Sequence, residues 1–184
     1  MLVQTAAVIA AQRQFAQRLR QRTVPDPLTG LPVRSLLIDR LELALATAGN
    51  ETGRLAVLSC NLDGLTVLED THGRAVADRA RAESSARLVN TVRQGDVVAR
   101  ISSQTFVLLC PGIHVPEDAH GIAGRVAAAF DAPLRPSPGL AHRVRVSVGV
   151  ALSGRASTPA SLVAAANEAM TEIRHQRQGT GRHG

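Results

Sequence analysis

The amino-acid sequence predicts a mixed α/β domain with a ferredoxin-like core, in which the elements follow the order strand, helix, strand, strand, helix, strand. Three observations support this fold class. Apolar stretches of strand length alternate with longer stretches of helical periodicity. Two of the strand-like stretches, VVARI and FVLLC, are separated by only four polar residues, which predicts a β-hairpin. Hydrophobic residues make up 45% of the 184 residues, which is enough for a buried core.

The first 23 residues predict a helix that precedes this core. Val8, Phe15 and Leu19 lie near one face, and arginines are concentrated towards the C-terminal end, where cations favour the helix dipole. The stretch VPDPLTGLP ends the helix with three prolines and a glycine. We expect residues 1–23 to be a helix or linker that contacts the domain or a partner, because three apolar residues bury too little for a stable dimer.

Five elements are predicted between this segment and the end of the hairpin. A helix over residues 33–48 places four leucines on one face. The apolar stretch RLAVLSCNL, residues 54–62, has the length of a buried strand. A second helix is predicted over residues 74–91, and the two hairpin strands follow at residues 97–101 and 106–110.

Three further elements are predicted after the hairpin. A helix is predicted over residues 117–130, and a proline-rich loop follows it. The stretch at residues 142–152 alternates valine with other residues, as a strand does, and a last helix covers residues 159–176. We expect the two helices of the core, over residues 74–91 and 117–130, to cover one face of an antiparallel sheet. The domain then spans residues 24–178, and residues 179–184 are expected to be a disordered tail.

The charge of the chain favours a small anionic ligand over a nucleic acid. The net charge is +6, and all 21 basic residues are arginine. Arginine grips phosphates and guanine edges with a planar fork of donors. However, the arginines are scattered among acidic residues, and the chain has no Trp or Tyr on which bases could stack.

Cysteine use and hydropathy favour a cytoplasmic protein. Cys60 and Cys110 lie at the ends of apolar stretches and outside any metal-binding spacing, so we expect buried free thiols. No apolar stretch approaches the length of a membrane span, and the start of the sequence lacks the basic region of a signal peptide.

Five short motifs follow one another along the domain. They are DPLTGLPVR at residues 26–34, NLDGLTVLEDTHGRAVAD at 61–78, RQGDVVARISSQTFVLL at 93–109, VRVSVGVA at 144–151 and AANEAMTEIR at 165–174. Similar motifs occur in this order in the GGDEF domains, whose active members are diguanylate cyclases. Residues 24–178 therefore resemble a GGDEF domain, which implies a bacterial signalling role and a core of the GGDEF/nucleotide-cyclase type with added helices.

The resemblance also identifies substitutions at the catalytic turn of the family. In active members the GG(D/E)EF turn supplies a metal-binding carboxylate and a further acid, and a second metal-binding aspartate lies elsewhere. The turn positions here hold Ser102, Ser103, Gln104 and Thr105, and the second aspartate is replaced by Asn61. Because Mg²⁺ prefers carboxylate and phosphate oxygens, we expect a catalytically inactive domain that is not an enzyme and holds no metal or cofactor.

The nucleotide pocket implied by the resemblance is altered as well. The guanine-reading asparagine of the family falls on Glu69, which cannot donate a hydrogen bond to guanine O6. The guanine-reading aspartate is retained as Asp78, and the phosphate-binding lysine falls on Arg174. These two residues would form a vestigial nucleotide pocket. Alternatively, Asp78 is an ordinary carboxylate on a helix surface.

One further motif survives, because Arg93 and Asp96 stand where the inhibitory site of the family carries RxxD. There the two residues grip the guanines of cyclic di-GMP, since Arg can donate to guanine O6 and N7 and Asp can accept from its N–H edge. Arg100 and Arg125 would add phosphate contacts. About one RxxD is expected by chance in so arginine-rich a chain, and Asp96 could instead cap a turn.

The sequence thus predicts a cyclic di-GMP receptor or regulatory adaptor. The expected partners are cyclic di-GMP and a protein, such as exopolysaccharide-synthesis or developmental machinery. Nucleic acid and a direct membrane span are not expected. Two alternatives stay open: a scaffold for protein contacts that binds no nucleotide, and a GTP-binding regulator.

Overall fold

The structure, a computed structural model, describes residues 24–48 and 53–180. The predicted helix over residues 1–23 lies outside these ranges, as do residues 181–184 of the predicted tail. The described elements are the helices α1 (Arg34–Ala48), α2 (Leu65–His72), α3 (Arg74–Thr91), α4 (Pro116–Ala128) and α5 (Pro159–Thr180), and the strands β1 (Arg54–Asp63), β2 (Val97–Arg100), β3 (Thr105–Ile113), β4 (Leu134–Ser137), β5 (Leu140–His142) and β6 (Arg145–Leu152).

The core is a four-stranded sheet in the order β2–β3–β1–β6, and every neighbouring pair of strands is antiparallel. β1 lies in the interior of the sheet and is buried from Leu55 to Leu62, as its continuous apolar stretch requires. Its last residues pair with both neighbours, so that Asn61 is opposite Thr105 on β3 and Ser147 on β6. This topology confirms the predicted ferredoxin-like core.

Helices cover both faces of the sheet. Successive side chains of a strand point to opposite faces, and β1 accordingly feeds two hydrophobic clusters. Leu58 packs in the cluster with Phe106 and with Val126 of α4, on the face that α3 also covers. Val57 packs in the other cluster with residues of α1 and α5, including Leu162. The two core helices, α3 and α4, therefore share one face of the sheet, as predicted.

The structure adds three elements to the predicted set, the helix α2 and the strands β4 and β5, and it lengthens the last predicted helix. α2 forms between β1 and the helix predicted over residues 74–91, where the sequence analysis predicts no element, because Leu65 and Leu68 are buried at helical spacing. The proline-rich stretch folds into the small hairpin of β4 and β5, which turns at Gly139 with a φ of +76°. α5 ends at Thr180, so residues 179 and 180 of the predicted tail are helical.

The two cysteines are free and buried, as predicted. Burial raises the pKa of the Cys60 thiol, and burial together with the charge of Asp96 raises the pKa of the Cys110 thiol to about 12. Over residues 24–48 and 53–180, no helix is both long enough and apolar enough to cross a membrane.

Candidate functional site

The tip of the β2–β3 hairpin is a turn organised by the hydroxyl of Ser102. The backbone N–H groups of Gln104 and Thr105 donate to Ser102 Oγ over 3.3 and 3.1 Å. The N–H groups of Ile101 and Ser102 donate to the carbonyl of Thr105 over 2.9 and 3.2 Å. Within the described ranges no non-glycine residue has a positive φ, so Ser102 and Ser103 occupy the glycine positions of the motif without backbone strain.

The fold brings the predicted turn residues and Asn61 together at one edge of the sheet. Thr105 Oγ1 donates to Asn61 Oδ1 over 3.5 Å, and Asn61 Nδ2 donates to Asp63 Oδ1 over 2.9 Å. The side-chain amide of Gln104 donates to Thr66 Oγ1 on α2. The turn residues and Asn61 therefore lie next to one another in the folded chain.

Asp63 is the carboxylate that the sequence analysis did not single out at this edge. The guanidinium Nε of Arg174 lies 3.0 Å from Asp63 Oδ1, which is an ion-pair distance, although the angle does not make a hydrogen bond. Arg174 thus reaches the turn edge from α5 and neutralises the carboxylate there. It does not approach Asp78, whose partners lie on α3 and are described below.

These donors are a poor fit for a divalent cation. Mg²⁺ favours carboxylate oxygens in an octahedral arrangement, whereas this edge offers two side-chain amides and one carboxylate that Arg174 already pairs. In the part of the chain that the structure describes, no group of three or more His, Cys, Asp or Glu residues could hold a metal ion. No metal-dependent step follows from this arrangement.

Arg81 is buried between the hairpin tip and two helices. Its side chain is 6% exposed. Nη1 donates to Asp78 Oδ1 over 2.8 Å, Nη2 donates to Glu69, and Nε donates to the carbonyl of Ser103 over 3.3 Å. One guanidinium therefore connects α2, α3 and the turn.

Arg81 binds two carboxylates of the predicted nucleotide pocket, those of Glu69 and Asp78. Burial by itself would lower the pKa of Arg81, but the hydrogen bonds and charges of Glu69 and Asp78 outweigh it and raise the pKa. Asp78 also lies 3.7 Å from the exposed guanidinium of Arg74. Glu69 and Asp78, the residues at the predicted guanine-reading positions, are thus both bound to a side chain of the protein itself. Sequence reasoning missed Arg81, although its spacing of three residues from Asp78 placed the two on one helix face.

A groove of about 390 Å³ contains three of the four residues predicted to bind cyclic di-GMP. Arg93 precedes β2, Asp96 is the last residue before β2, and Arg125 comes from α4. The side chain of Arg93 is 61% exposed. Glu117 and Asp118, at the start of α4, also line the groove.

Asp96 holds Arg93 in place through its side-chain carboxylate. Its side chain is only 2% exposed. It accepts the backbone N–H of Arg93 over 3.0 Å and the Nε–H of the same residue over 3.4 Å. Arg93 Nη2 donates in addition to the carbonyl of Pro111 on β3. This geometry matches the turn-capping alternative for Asp96, and it also fixes the direction of Arg93.

Arg100 does not join this groove, which corrects its predicted place. It lies at the far end of β2 from Asp96, next to the hairpin tip. Its Nη1 donates to both carboxylate oxygens of Asp26, over 2.9 and 2.8 Å, and its Nε donates to the carbonyl of Ser102 over 3.1 Å. The sequence could not show this partner, because Asp26 lies 74 residues away along the chain.

Comparison with known proteins gives consistent matches. A family model described as "Diguanylate cyclase, GGDEF domain" matches residues 23–180. The diguanylate cyclase TpbB of Pseudomonas aeruginosa is 33% identical over 158 residues, which cover 85% of this chain and 36% of TpbB. MucR of the same organism, a bifunctional diguanylate cyclase/cyclic di-GMP phosphodiesterase, is 35% identical over 182 residues, or 97% of this chain and 25% of MucR. The chain spans about a third or less of these relatives.

Solved structures agree with these matches. The GGDEF domain of TpbB superposes with a TM-score of 0.79 at 33% identity, covering 83% of this chain and 89% of that structure. The GGDEF domain of DgcB from Caulobacter crescentus, in complex with c-di-GMP, has a TM-score of 0.76 at 17% identity, covering 84% of this chain and 91% of that one. At this lower identity the second match shows the shared fold.

The expectation that the chain is not an enzyme is contradicted by these matches. TpbB and MucR are named as diguanylate cyclases, and nothing in the matches shows a loss of activity. The prediction rested on the charges lost at Asn61 and Gln104, but both side chains keep carbonyl oxygens, and a changed set of donors does not by itself establish inactivity. By sequence and by structure, this chain belongs to the GGDEF family of diguanylate cyclase domains.

Proposed function

We propose that this GGDEF-family domain binds cyclic di-GMP in the groove of Arg93, Asp96 and Arg125. The observation that supports the proposal is that residues from separate segments meet in one groove, with the guanidinium of Arg93 exposed and already held in place. Its volume of about 390 Å³ falls within the range of sites for small ligands, about 300–1,000 Å³. The c-di-GMP complex of the DgcB domain, which shares the fold, is consistent with such a role.

Arg93 is the residue we assign to guanine recognition. A guanidinium has five N–H donors, and the protein uses two of the side-chain nitrogens of Arg93, Nε towards Asp96 and Nη2 towards Pro111. The remaining donors on Nη1 and Nη2 are available to guanine O6 and N7, which arginine contacts in pairs. Prior fixing of the side chain reduces the conformational entropy that binding would otherwise cost.

Arg125 and the acidic residues of the groove suit different parts of the ligand. Arg125 is exposed and makes no ion pair within the described ranges, so its charge is available to a phosphate. Glu117 and Asp118 would repel a phosphate but can accept hydrogen bonds from the N–H edge of guanine. Asp96 acts as a positioning residue, because its buried carboxylate is occupied by Arg93.

Calorimetric titration of the purified chain with cyclic di-GMP tests this proposal. The protein is first freed of any bound nucleotide. We expect a dissociation constant in the micromolar range, which corresponds to a binding free energy of about −8 kcal/mol. Arg93→Ala should weaken binding roughly 5- to 150-fold, which corresponds to the 1–3 kcal/mol of a bidentate guanine contact.

Arg40→Ala is the matched control, because Arg40 is an exposed arginine on α1, outside the groove. This variant should bind as the wild type does. Asp96→Asn should also weaken binding, because the neutral amide holds Arg93 less firmly, and thermal unfolding of the same sample shows whether the turn is still formed. Absence of binding by the wild type at millimolar ligand, or equal binding by Arg93→Ala, would refute the proposal.

A protein partner and a cytoplasmic location, both expected from the sequence, remain part of this proposal. The chain's +6 charge and the exposed apolar side chain of Val115, which is 48% exposed beside the groove, are compatible with a protein contact there. Copurification of a partner that depends on added cyclic di-GMP, and that is lost with Arg93→Ala, would support this part.

A further inference from the structure

A second groove, of about 470 Å³, opens between the end of α1, the start of β1 and the loop that follows β6. Leu45 of α1 forms an apolar wall, and Arg54, Arg155 and two serines provide the polar lining. None of these residues belongs to the groove assigned to cyclic di-GMP. The proposal for cyclic di-GMP therefore assigns no role to the residues of the second groove.

The two arginines of this groove have no charge partner in the described part of the chain. Among the residues that the structure describes, no carboxylate lines the groove, and neither Arg54 nor Arg155 takes part in an ion pair. Both of these side chains are exposed, whereas the buried or half-buried Arg81 and Arg87 pair with acidic side chains. Two unpaired guanidinium groups in one concave surface create a positive potential that attracts an anion.

The serines add hydrogen-bond donors to this charge. Ser153 Oγ accepts the backbone N–H of Leu55 over 2.9 Å, and Ser157 Oγ accepts the backbone N–H of Gly154 over 2.8 Å. A hydroxyl has one donor and two acceptor lone pairs, so each serine keeps its own O–H for a further acceptor. Ser153 is only 8% exposed, and the hydrogen bond from Leu55 holds its hydroxyl in place.

We propose that this groove binds the phosphate group of a small ligand, with Arg54 and Arg155 as the charged contacts and Ser153 and Ser157 as hydroxyl donors. The polar side chains that line the groove can all donate, and phosphate is an acceptor of several hydrogen bonds from planar guanidinium forks. The volume is larger than one phosphate requires, and the wall of Leu45 offers an apolar contact for the rest of an organic phosphate.

Amide chemical shifts of the isotope-labelled chain test the proposal, with inorganic phosphate and GMP as separate probes at constant ionic strength. We expect saturable shifts at Gly154 and Ser157 with millimolar phosphate. Arg155→Ala and Arg54→Ala should each weaken binding roughly tenfold or more, as expected for the loss of a charge-assisted hydrogen-bonding group. Arg40→Ala serves as the exposed-arginine control and should change nothing.

The two probes distinguish the source of the phosphate. Tighter binding of GMP than of inorganic phosphate assigns the groove to organic phosphates, and equal binding assigns it to free phosphate; either result supports the site. Shifts no larger than those caused by chloride, or binding unchanged in both arginine variants, would overturn it. Titration of the same variants with cyclic di-GMP keeps the two grooves apart, because that binding should be unaffected by Arg54→Ala and Arg155→Ala.

Discussion

Arg100 and Asp26 form an ion pair between the end of β2 and the segment that precedes α1. The Nη1 atom of Arg100 is 2.9 and 2.8 Å from the two carboxylate oxygens, and the two side chains are only 15% and 17% exposed. Thr29 donates to Asp26 through both its backbone N–H and its hydroxyl, over 2.9 and 2.7 Å. The PLTG stretch is thereby fixed against the hairpin tip.

The first prediction concerns the stability that this pair supplies. Asp26→Asn should lower the free energy of unfolding at neutral pH by about 1–3 kcal/mol, because it leaves a mostly buried guanidinium without its counter-charge. Denaturant unfolding at pH 7 measures the loss. Asp39→Asn, an exposed carboxylate on α1, is the control and should stay within about 0.5 kcal/mol of the wild type.

The same pair gives the stability of the domain an acid dependence. Burial alone raises the pKa of Asp26, but the hydrogen bonds from Thr29 and Arg100 outweigh it and hold the pKa below its ordinary value. The carboxylate therefore stabilises the fold fully above the pKa of the unfolded chain, about 3.9, and loses this contribution as the pH falls through the lower folded-state pKa. The difference between wild type and Asp26→Asn should shrink in that acid range. A difference that stays constant from pH 7 to pH 2 would contradict this assignment.

The third prediction separates the two arginines that contact Asp78. Arg81→Met should lower the free energy of unfolding by about 1–3 kcal/mol, because it leaves Glu69 and Asp78 without their shared buried cation. The estimate is below that for a fully buried pair, since the two carboxylates are 37% and 30% exposed.

Arg74→Ala is the matched control for that variant. Arg74 contacts the same carboxylate at 3.7 Å, but its side chain is 84% exposed, so its loss should change stability by no more than about 0.5 kcal/mol. Urea unfolding of the two variants side by side provides the comparison. Equal effects of the two substitutions would show that the burial of Arg81 does not increase its contribution to the free energy of unfolding.

The contrast between these sites shows what the sequence could and could not predict. The order of the strands along the chain could be predicted because a continuous apolar stretch of strand length has to be buried in the sheet. For this reason β1 was placed correctly. Arg81 was missed and Arg100 was misplaced because, in an arginine-rich chain, the sequence around a buried arginine resembles that around a solvated one. Their partners depend on contacts between distant segments, and no local pattern encodes such contacts. α2 was missed because its eight residues contain only two buried leucines.

The fourth prediction concerns the thiols. Because the pKa of Cys110 is raised to about 12 and that of Cys60 is raised as well, both thiols remain protonated at pH 8 in the folded chain. The thiolate is the reactive form, and both residues have no exposed surface. A disulfide reagent should therefore react with neither thiol at a measurable rate until the chain is unfolded in denaturant, and with both afterwards. Rapid labelling of the native chain at pH 8 would contradict the described burial.

The last prediction tests the close approach of β6 and α5. A Cβ atom added to Gly149 would lie 2.1 Å from the backbone nitrogen of Met170 and 2.2 Å from the carbonyl oxygen of Ala166. Neither atom can move without displacing the helix, so Gly149→Ala should cost more than about 3 kcal/mol or prevent folding. Gly124→Ala is the matched control, since Gly124 lies within α4 and no atom is within 4 Å of its added Cβ. It should stabilise the domain by about 0.5–1 kcal/mol, the difference in helix propensity between the two residues. Thermal unfolding of the two variants should therefore shift in opposite directions, and a Gly149→Ala protein with the melting temperature of the wild type would show that α5 does not pack on β6 as described.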